Sequence, residues 1–215
     1  MQNAGRIALW RLCALHSVFC ILYSSFFLLG CSSPAEPDYS QTIQSARTEK
    51  DRAFKDTRES PLKPEQRAGF KGLDYFAPDE SYRIAAALRV AAENEQVVST
   101  MPTSTGKMRQ MRRVGSLEFN LKGQPLSLVA FLEDSESGRS SRRLFVPFSD
   151  LTSGTETYPA GRYLDLDATP TGLYDLDFNK AYNPYCAYNE TYDCPFPPRE
   201  NRLTVAVRAG EKNYP

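Results

Sequence analysis

Two short segments carry carboxylates at the alternate spacing of a β-strand: Tyr163-Leu-Asp-Leu-Asp167 and Tyr174-Asp-Leu-Asp-Phe-Asn179. Residues two apart in a strand share a face. Tyr163, Asp165 and Asp167 therefore lie on one face of the first segment, and Asp175, Asp177 and Asn179 on one face of the second. The link Ala168-Thr-Pro-Thr-Gly172 has the length of a hairpin connection. Pairing Asp167 with Leu173 sets Asp165 opposite Asp175 and Tyr163 opposite Asp177. Like charges facing one another are destabilising. Such a face is either splayed into water or kept for a hard cation or a shared proton. A slip of one residue would disperse the cluster.

Directly downstream, residues 180–201 are crowded with Tyr, Asn and Pro, including Tyr182, Asn183, Glu200 and Asn201. Prolines restrict the backbone, and tyrosines offer broad apolar surface with a hydroxyl at the tip. The stretch reads as a pocket wall or as a plug closing one end of a barrel. Asp165, Asp177 and Glu200 are the carboxylates that would serve as acid, base or metal ligands if the chain is an enzyme. A carboxylate pair roughly 5–10 Å apart hydrolyses glycosidic bonds without histidine.

Histidine is the group most clearly missing from this chemistry. The one histidine is His16, inside a segment expected to be removed. The remaining chain then has no Ser-His-Asp or Cys-His nucleophile, no His-ligated zinc or haem, and no imidazole acid–base step. Beyond residue 31 the cysteines are Cys186 and Cys194. In an exported protein the default expectation for such a pair is a disulfide, with free structural thiols or chemistry as the alternatives. A metal site there would need more ligands, and no histidine supplies them. No motif specifies a cofactor, and no metal is assigned.

The N-terminus places the domain. Arg6 and Arg11 precede an apolar run from Val18 to Leu29, diluted by Ser17, Tyr23, Ser24 and Ser25. A bilayer-spanning helix needs about 20 apolar residues, so the run suits a cleaved export segment better. Its ending, Leu28-Leu29-Gly30-Cys31, resembles a bacterial lipobox. Residues 1–30 are expected as a signal peptide, Cys31 as the lipidated residue, 31–38 as a proline-containing tether, and 39–215 as one domain. Ser32, rather than Asp, follows the cysteine. This resembles cargo for the outer membrane, facing the periplasm or the cell surface. The membrane, through Cys31, is the expected partner. The chain has 26 basic and 26 acidic residues; without Arg6 and Arg11 the remainder carries a net charge of −2. That balance argues against a nucleic-acid partner.

The elements that position these residues follow from periodicity. Tyr39, Ile43, Ala46, Ala53 and Phe54 predict an amphipathic helix from Asp38 or Ser40 to about Asp56. Strands are predicted over Tyr82–Val90, Val97–Met101, Met108–Leu121, Leu126–Glu133, Arg142–Pro147, Arg162–Asp167, Leu173–Asn179 and Arg202–Arg208. Turn residues such as Lys122-Gly123-Gln124-Pro125 separate them. The expected fold is mainly β (α+β): an antiparallel barrel or sandwich-like domain with an N-terminal amphipathic helix.

Several motifs together resemble the domain-of-unknown-function 1684 family of bacteria and archaea. They are Phe70-Lys-Gly-Leu-Asp-Tyr-Phe76, Gly115-Ser-Leu-Glu-Phe119, Val146-Pro-Phe-Ser-Asp-Leu-Thr-Ser-Gly154 and Thr157-Tyr-Pro-Ala-Gly-Arg-Tyr163. Closer to the C-terminus come Leu176-Asp-Phe-Asn-Lys-Ala-Tyr-Asn-Pro184, Cys186, Cys194-Pro195, Glu200-Asn-Arg-Leu203 and Ala209-Gly-Glu-Lys212. The resemblance runs from about Arg47 to the C-terminus, and Ser135–Ser141 is an insertion against it. It supplies no activity. It implies that members without export segments share the cysteine pair, which a reducing cytosol would keep as thiols. The expected function is an envelope binding module for a small-molecule or envelope ligand, with a Tyr/Asn/Asp-rich pocket in the C-terminal third. A histidine-independent hydrolase and a purely structural lipoprotein are the alternatives.

Overall fold

The computed structural model describes residues 38–92, 98–133 and 143–214. The expected signal peptide, the lipidation site Cys31 and the whole Ser135–Ser141 insertion lie outside the described residues. Helix α1 covers Tyr39–Asp56 and α2 covers Pro64–Arg67. Strands are β1 Arg83–Val90, β2 Val98–Pro102, β3 Met108–Leu121, β4 Gln124–Glu133, β5 Arg143–Phe148, β6 Arg162–Asp167 and β7 Leu173–Asp177.

All pairings between these strands are antiparallel, in the order β6-β5-β4-β3-β1-β7, with β2 beside the first half of β3. The fold is mainly β, a nearly closed barrel-like sheet with α1 on its N-terminal side, as the sequence predicts. A two-bond bridge joins β6 to the chain that follows β7. Tyr163 N–H donates to Tyr182 O (2.8 Å), and Tyr182 N–H donates to Tyr163 O (3.0 Å).

Local chemistry explains the frame. Leu121 and Gln124 pair across Lys122-Gly123, both at positive φ (52° and 81°); that geometry matches the tight two-residue hairpin turn. Gly115 follows a register shift in β3. A Cβ on Gly115 would sit 2.2 Å from Arg89 O, so only glycine lets β1 lie this close. Alternate residues Leu117, Phe119 and Leu121 of β3, Leu128 and Ala130 of β4, Leu144, Val146 and Phe148 of β5, and Leu164 and Leu166 of β6 form the core. Burial of each Leu, Val or Phe side chain among them contributes about 1.5–3 kcal/mol.

A second cluster (Met101, Met111, Val129 and Phe131, with Phe145 against it) packs separately from this core. A third joins Phe54 of α1 to Leu62, Phe70 and Tyr188, which ties the helix to the chain after β7.

Two predicted elements differ. Arg202–Arg208 is not a strand: its polar backbone groups meet side chains and loops rather than a ladder. Asp150 Oδ1 accepts from Val207 N–H (3.1 Å), and the buried Arg162 guanidinium donates to the carbonyls of Val207, Ala209 and Glu211. Alternating apolar residues there imitate a strand because Leu203, Val207 and Ala209 all enter the core. The predicted β6–β7 hairpin is also absent. β6 pairs with β5, setting Asp165 opposite Phe145, and β7 pairs with β1, setting Asp175 opposite Ala85. The carboxylate cluster expected from hairpin pairing does not form.

Candidate functional site

A cavity of about 660 Å³ lies between the sheet and the chain from Tyr182 to Pro195. Its sheet wall is the outward pleat: Tyr163 and Asp165 of β6, Arg143 and Phe145 of β5, Glu133 of β4, and Arg109 and Met111 of β3. These alternate with the core residues Leu144, Val146, Leu164 and Leu166. The opposite wall is Tyr182, Pro184, Tyr185, Tyr192, Asp193, Cys194 and Pro195, and Lys50 reaches in from α1. The Tyr/Asn/Pro stretch is therefore the wall of a concavity outside the barrel core, rather than a plug at a barrel end.

The walls are pinned to one another. Tyr163 OH donates to Pro195 O (2.5 Å), and its ring meets Phe145 edge-on at 4.7 Å and Tyr182 at 5.8 Å. Tyr182 OH donates to Asp165 Oδ2 (2.8 Å), while Lys50 Nζ stands 5.0 Å over the Tyr182 ring. Arg109 Nη2 donates to Asp193 O (2.8 Å), and Thr105 Oγ1 to Asp193 Oδ1 (2.5 Å). Thr103 and Pro195 form a further bridge. Tyr185 and Tyr192 pack edge-to-face at 5.2 Å.

Burial pushes the Tyr163 and Tyr182 phenols far above the ordinary tyrosine range, with Asp165 adding to it at Tyr182. Both phenols stay protonated at neutral pH. Hydrogen bonds from Thr103 and Thr105 hold the Asp193 carboxyl below its usual range. Lys50, Arg109 and Arg143 face Glu133, Asp165 and Asp193, three positive groups against three negative, so the wall has no net charge.

Only part of the expected site assembles here. Of the nine residues predicted as binding or catalytic, Tyr163, Asp165 and Tyr182 line the cavity. Asp175 pairs with Arg83 at the surface (2.9 Å). Asp177 is buried and accepts from Tyr39 OH (2.9 Å), Asn179 N–H and Asn179 Nδ2 (3.0 Å each). Asn179 exchanges two bonds with the Asp79 backbone. Asn183 donates N–H to Glu211 Oε2 (2.7 Å) and Nδ2 to Lys212 O (2.8 Å). Glu200 pairs with Arg113 (2.9 Å). Asn201 is fully buried, and its amide binds Val129 N–H, Val129 O and Pro147 O, holding β4 beside β5. Asp165, Asp177 and Glu200 thus each bind a different partner, Tyr182, Tyr39 and Arg113.

Sequence reasoning passed over Arg109, Glu133, Arg143 and Phe145, which come from three strands with no local signal. The alternation of outward residues along β5 and β6 was the available clue.

Cys186 and Cys194 are free thiols, so the expected disulfide is not present. Cys186 N–H donates to Cys194 Sγ (3.1 Å), and Tyr158 OH stands 3.7 Å from Cys186 Sγ. Hydrogen bonding between the thiols draws the Cys186 thiol down to about 6 and drives Cys194 up.

A nearly closed antiparallel barrel with an aromatic, charge-balanced recess on its outer face defines the class. The chain belongs to the family described as protein of unknown function (DUF1684), whose profile matches residues 68–212. It is similar to an uncharacterized protein of Haloarcula marismortui known from a solution NMR structure. The two share 39% identity over 81% of this chain and 94% of that chain, with a TM-score of 0.60. No curated protein matches.

Proposed function

We propose that this chain is a lipid-anchored envelope protein whose barrel binds a small, uncharged, ring-bearing molecule in the recess beside Tyr182. The observation that carries the reading is the wall itself. Phe145, Tyr163, Tyr182, Tyr185 and Tyr192 give flat apolar faces, while Arg109, Glu133, Asp165 and Asp193 give paired polar edges. Ligand sites are mostly apolar recesses of about 300–1,000 Å³ with a few fixed polar groups. The balance of charge favours a neutral ligand, since a net-charged one would face as many repelling groups as attracting ones. The anchor reading rests on Leu28-Leu29-Gly30-Cys31. Cleavage before Cys31, with two or more acyl chains on that residue, would hold the domain stably on the outer membrane.

The test is a thermal-shift screen of the full chain in detergent against neutral sugars, nucleosides and heteroaromatic compounds. A binding compound raises the melting temperature of the wild type and of Glu200→Ala, but not of Tyr185→Ala. Tyr185 is 42% exposed, so its loss leaves the fold intact. A ligand whose stabilisation is unchanged by Tyr185→Ala, or a panel in which only charged compounds bind, would overturn the reading.

A further inference from the structure

Cys186 and Cys194 play no part in the binding reading above, yet their surroundings are built. The two cysteines meet directly through a backbone-to-sulfur hydrogen bond, and a hydroxyl approaches the second sulfur. The amide of Cys186 donates to Cys194 Sγ at 3.1 Å, and the Tyr158 hydroxyl lies 3.7 Å from Cys186 Sγ. A thiolate carries no proton, so the Tyr158 hydroxyl is the donor whenever Cys186 is ionised. Hydrogen bonds onto ligating atoms orient and tune them.

The frame around the sulfurs is fixed. Cys194 N–H donates to Ser104 Oγ (3.1 Å), and Ser104 N–H donates to Cys194 O (2.9 Å). Cys186 sits in the short 3₁₀ turn Tyr185–Ala187. Cys194 also lines the cavity, which gives an ion a route from solvent. The Arg109 guanidinium adds a positive field at Cys194.

We propose that Cys186 and Cys194 form a two-coordinate site for a soft monovalent cation of the Cu(I) class, reached through the cavity. Donor number and softness select the ion. Structural zinc takes four ligands, and among the described residues no three His, Cys, Asp or Glu side chains are placed to hold a metal. Calcium and magnesium take oxygen ligands. A soft d¹⁰ cation prefers thiolate sulfur and is satisfied by two. Loading removes both thiol protons, RSH + R′SH + M⁺ → [RS–M–SR′]⁻ + 2 H⁺. The single negative charge produced is held by the Cys186 amide, the Tyr158 hydroxyl and the nearby Arg109.

The experiment uses the full chain with Cys13, Cys20 and Cys31 changed to serine, reduced and without oxygen, so that the pair supplies the only thiols. Silver(I) is the probe, since it shares the charge and softness of Cu(I) without its redox chemistry. Native mass spectrometry is expected to show one Ag⁺ bound with two protons displaced, and the melting temperature is expected to rise. Cys186→Ser and Cys194→Ser should each lose tight binding. Tyr158→Phe, which leaves both ligands and the fold in place, should weaken it roughly tenfold. Equal affinity in wild type and either serine variant would overturn the proposal. So would Zn²⁺ binding as tightly as Ag⁺, or no effect of Tyr158→Phe.

Discussion

Replacing Glu211 by alanine should both destabilise the fold and loosen the cavity wall. Glu211 is 1% exposed and gathers three donors: Lys50 Nζ, Asn183 N–H and Tyr188 OH. Its truncation leaves the Asn183 amide and the Tyr188 hydroxyl buried without an acceptor. Each such group costs about 1–3 kcal/mol. Lys50 is 27% exposed and can turn into the open recess, so its lost pairing adds at most about 1 kcal/mol. The expected loss is about 4 kcal/mol, read by guanidinium unfolding followed by both fluorescence and circular dichroism. At about 2–4 °C per kcal/mol for a domain of this size, the melting temperature falls by roughly 8–16 °C. Glu200→Ala removes only an exposed pair with Arg113 and should cost no more than about 1 kcal/mol. A loss below about 1 kcal/mol for Glu211→Ala would refute the claim that this carboxylate organises the segment from Asn183 to Tyr188.

Three further outcomes are expected. Asn201→Ala leaves Val129 N–H, Val129 O and Pro147 O without their side-chain partner, and should cost about 3 kcal/mol in denaturant unfolding. The Cys186 thiol, drawn from 9.0 to about 6 mainly by its neighbour Cys194, should react with iodoacetamide in a step centred near that pH. A depressed folded value means that the unfolded chain holds the proton longer. Stability therefore rises from about pH 6 toward 9 and is lost on acidification through 6; Cys186→Ser should flatten that slope. Cys31→Ser should leave a precursor that keeps residues 1–30 and gains no acyl mass, whereas a processed, acylated variant would contradict the anchor.

Much of the frame was legible because it depends on near-neighbour pattern. Alternation over Met108–Leu121 and Arg162–Asp167 predicts both strands at their observed bounds, and the spacing of Ile43 and Phe54 predicts α1. What failed depends on long-range partners. The link at 168–172 fits a hairpin, but β1 and β5 supply the ladders that β7 and β6 use. The Asp and Asn side chains of the second segment then serve the local backbone: Asp177 caps the turn at Phe178–Lys180, and Asn179 holds Asp79. Likewise Val207 and Ala209 read as strand residues because burial, rather than pairing, sets their pattern. The Tyr/Asn/Pro composition around Tyr182 marked the segment but left a pocket wall and a barrel plug equally open. Arg109, Glu133 and Arg143 were not legible, because an outward strand residue facing a recess has the same pattern as one facing water.

The most direct test of the account is a chemical-shift map of the reduced full chain titrated with whichever neutral compound stabilises it. Shifts should concentrate at Phe145, Tyr163, Tyr182, Tyr185 and Tyr192 and saturate at one ligand per chain. Shifts centred instead on the smaller cleft formed by Ile43, Tyr75 and Lys180, or spread without saturation, would contradict it.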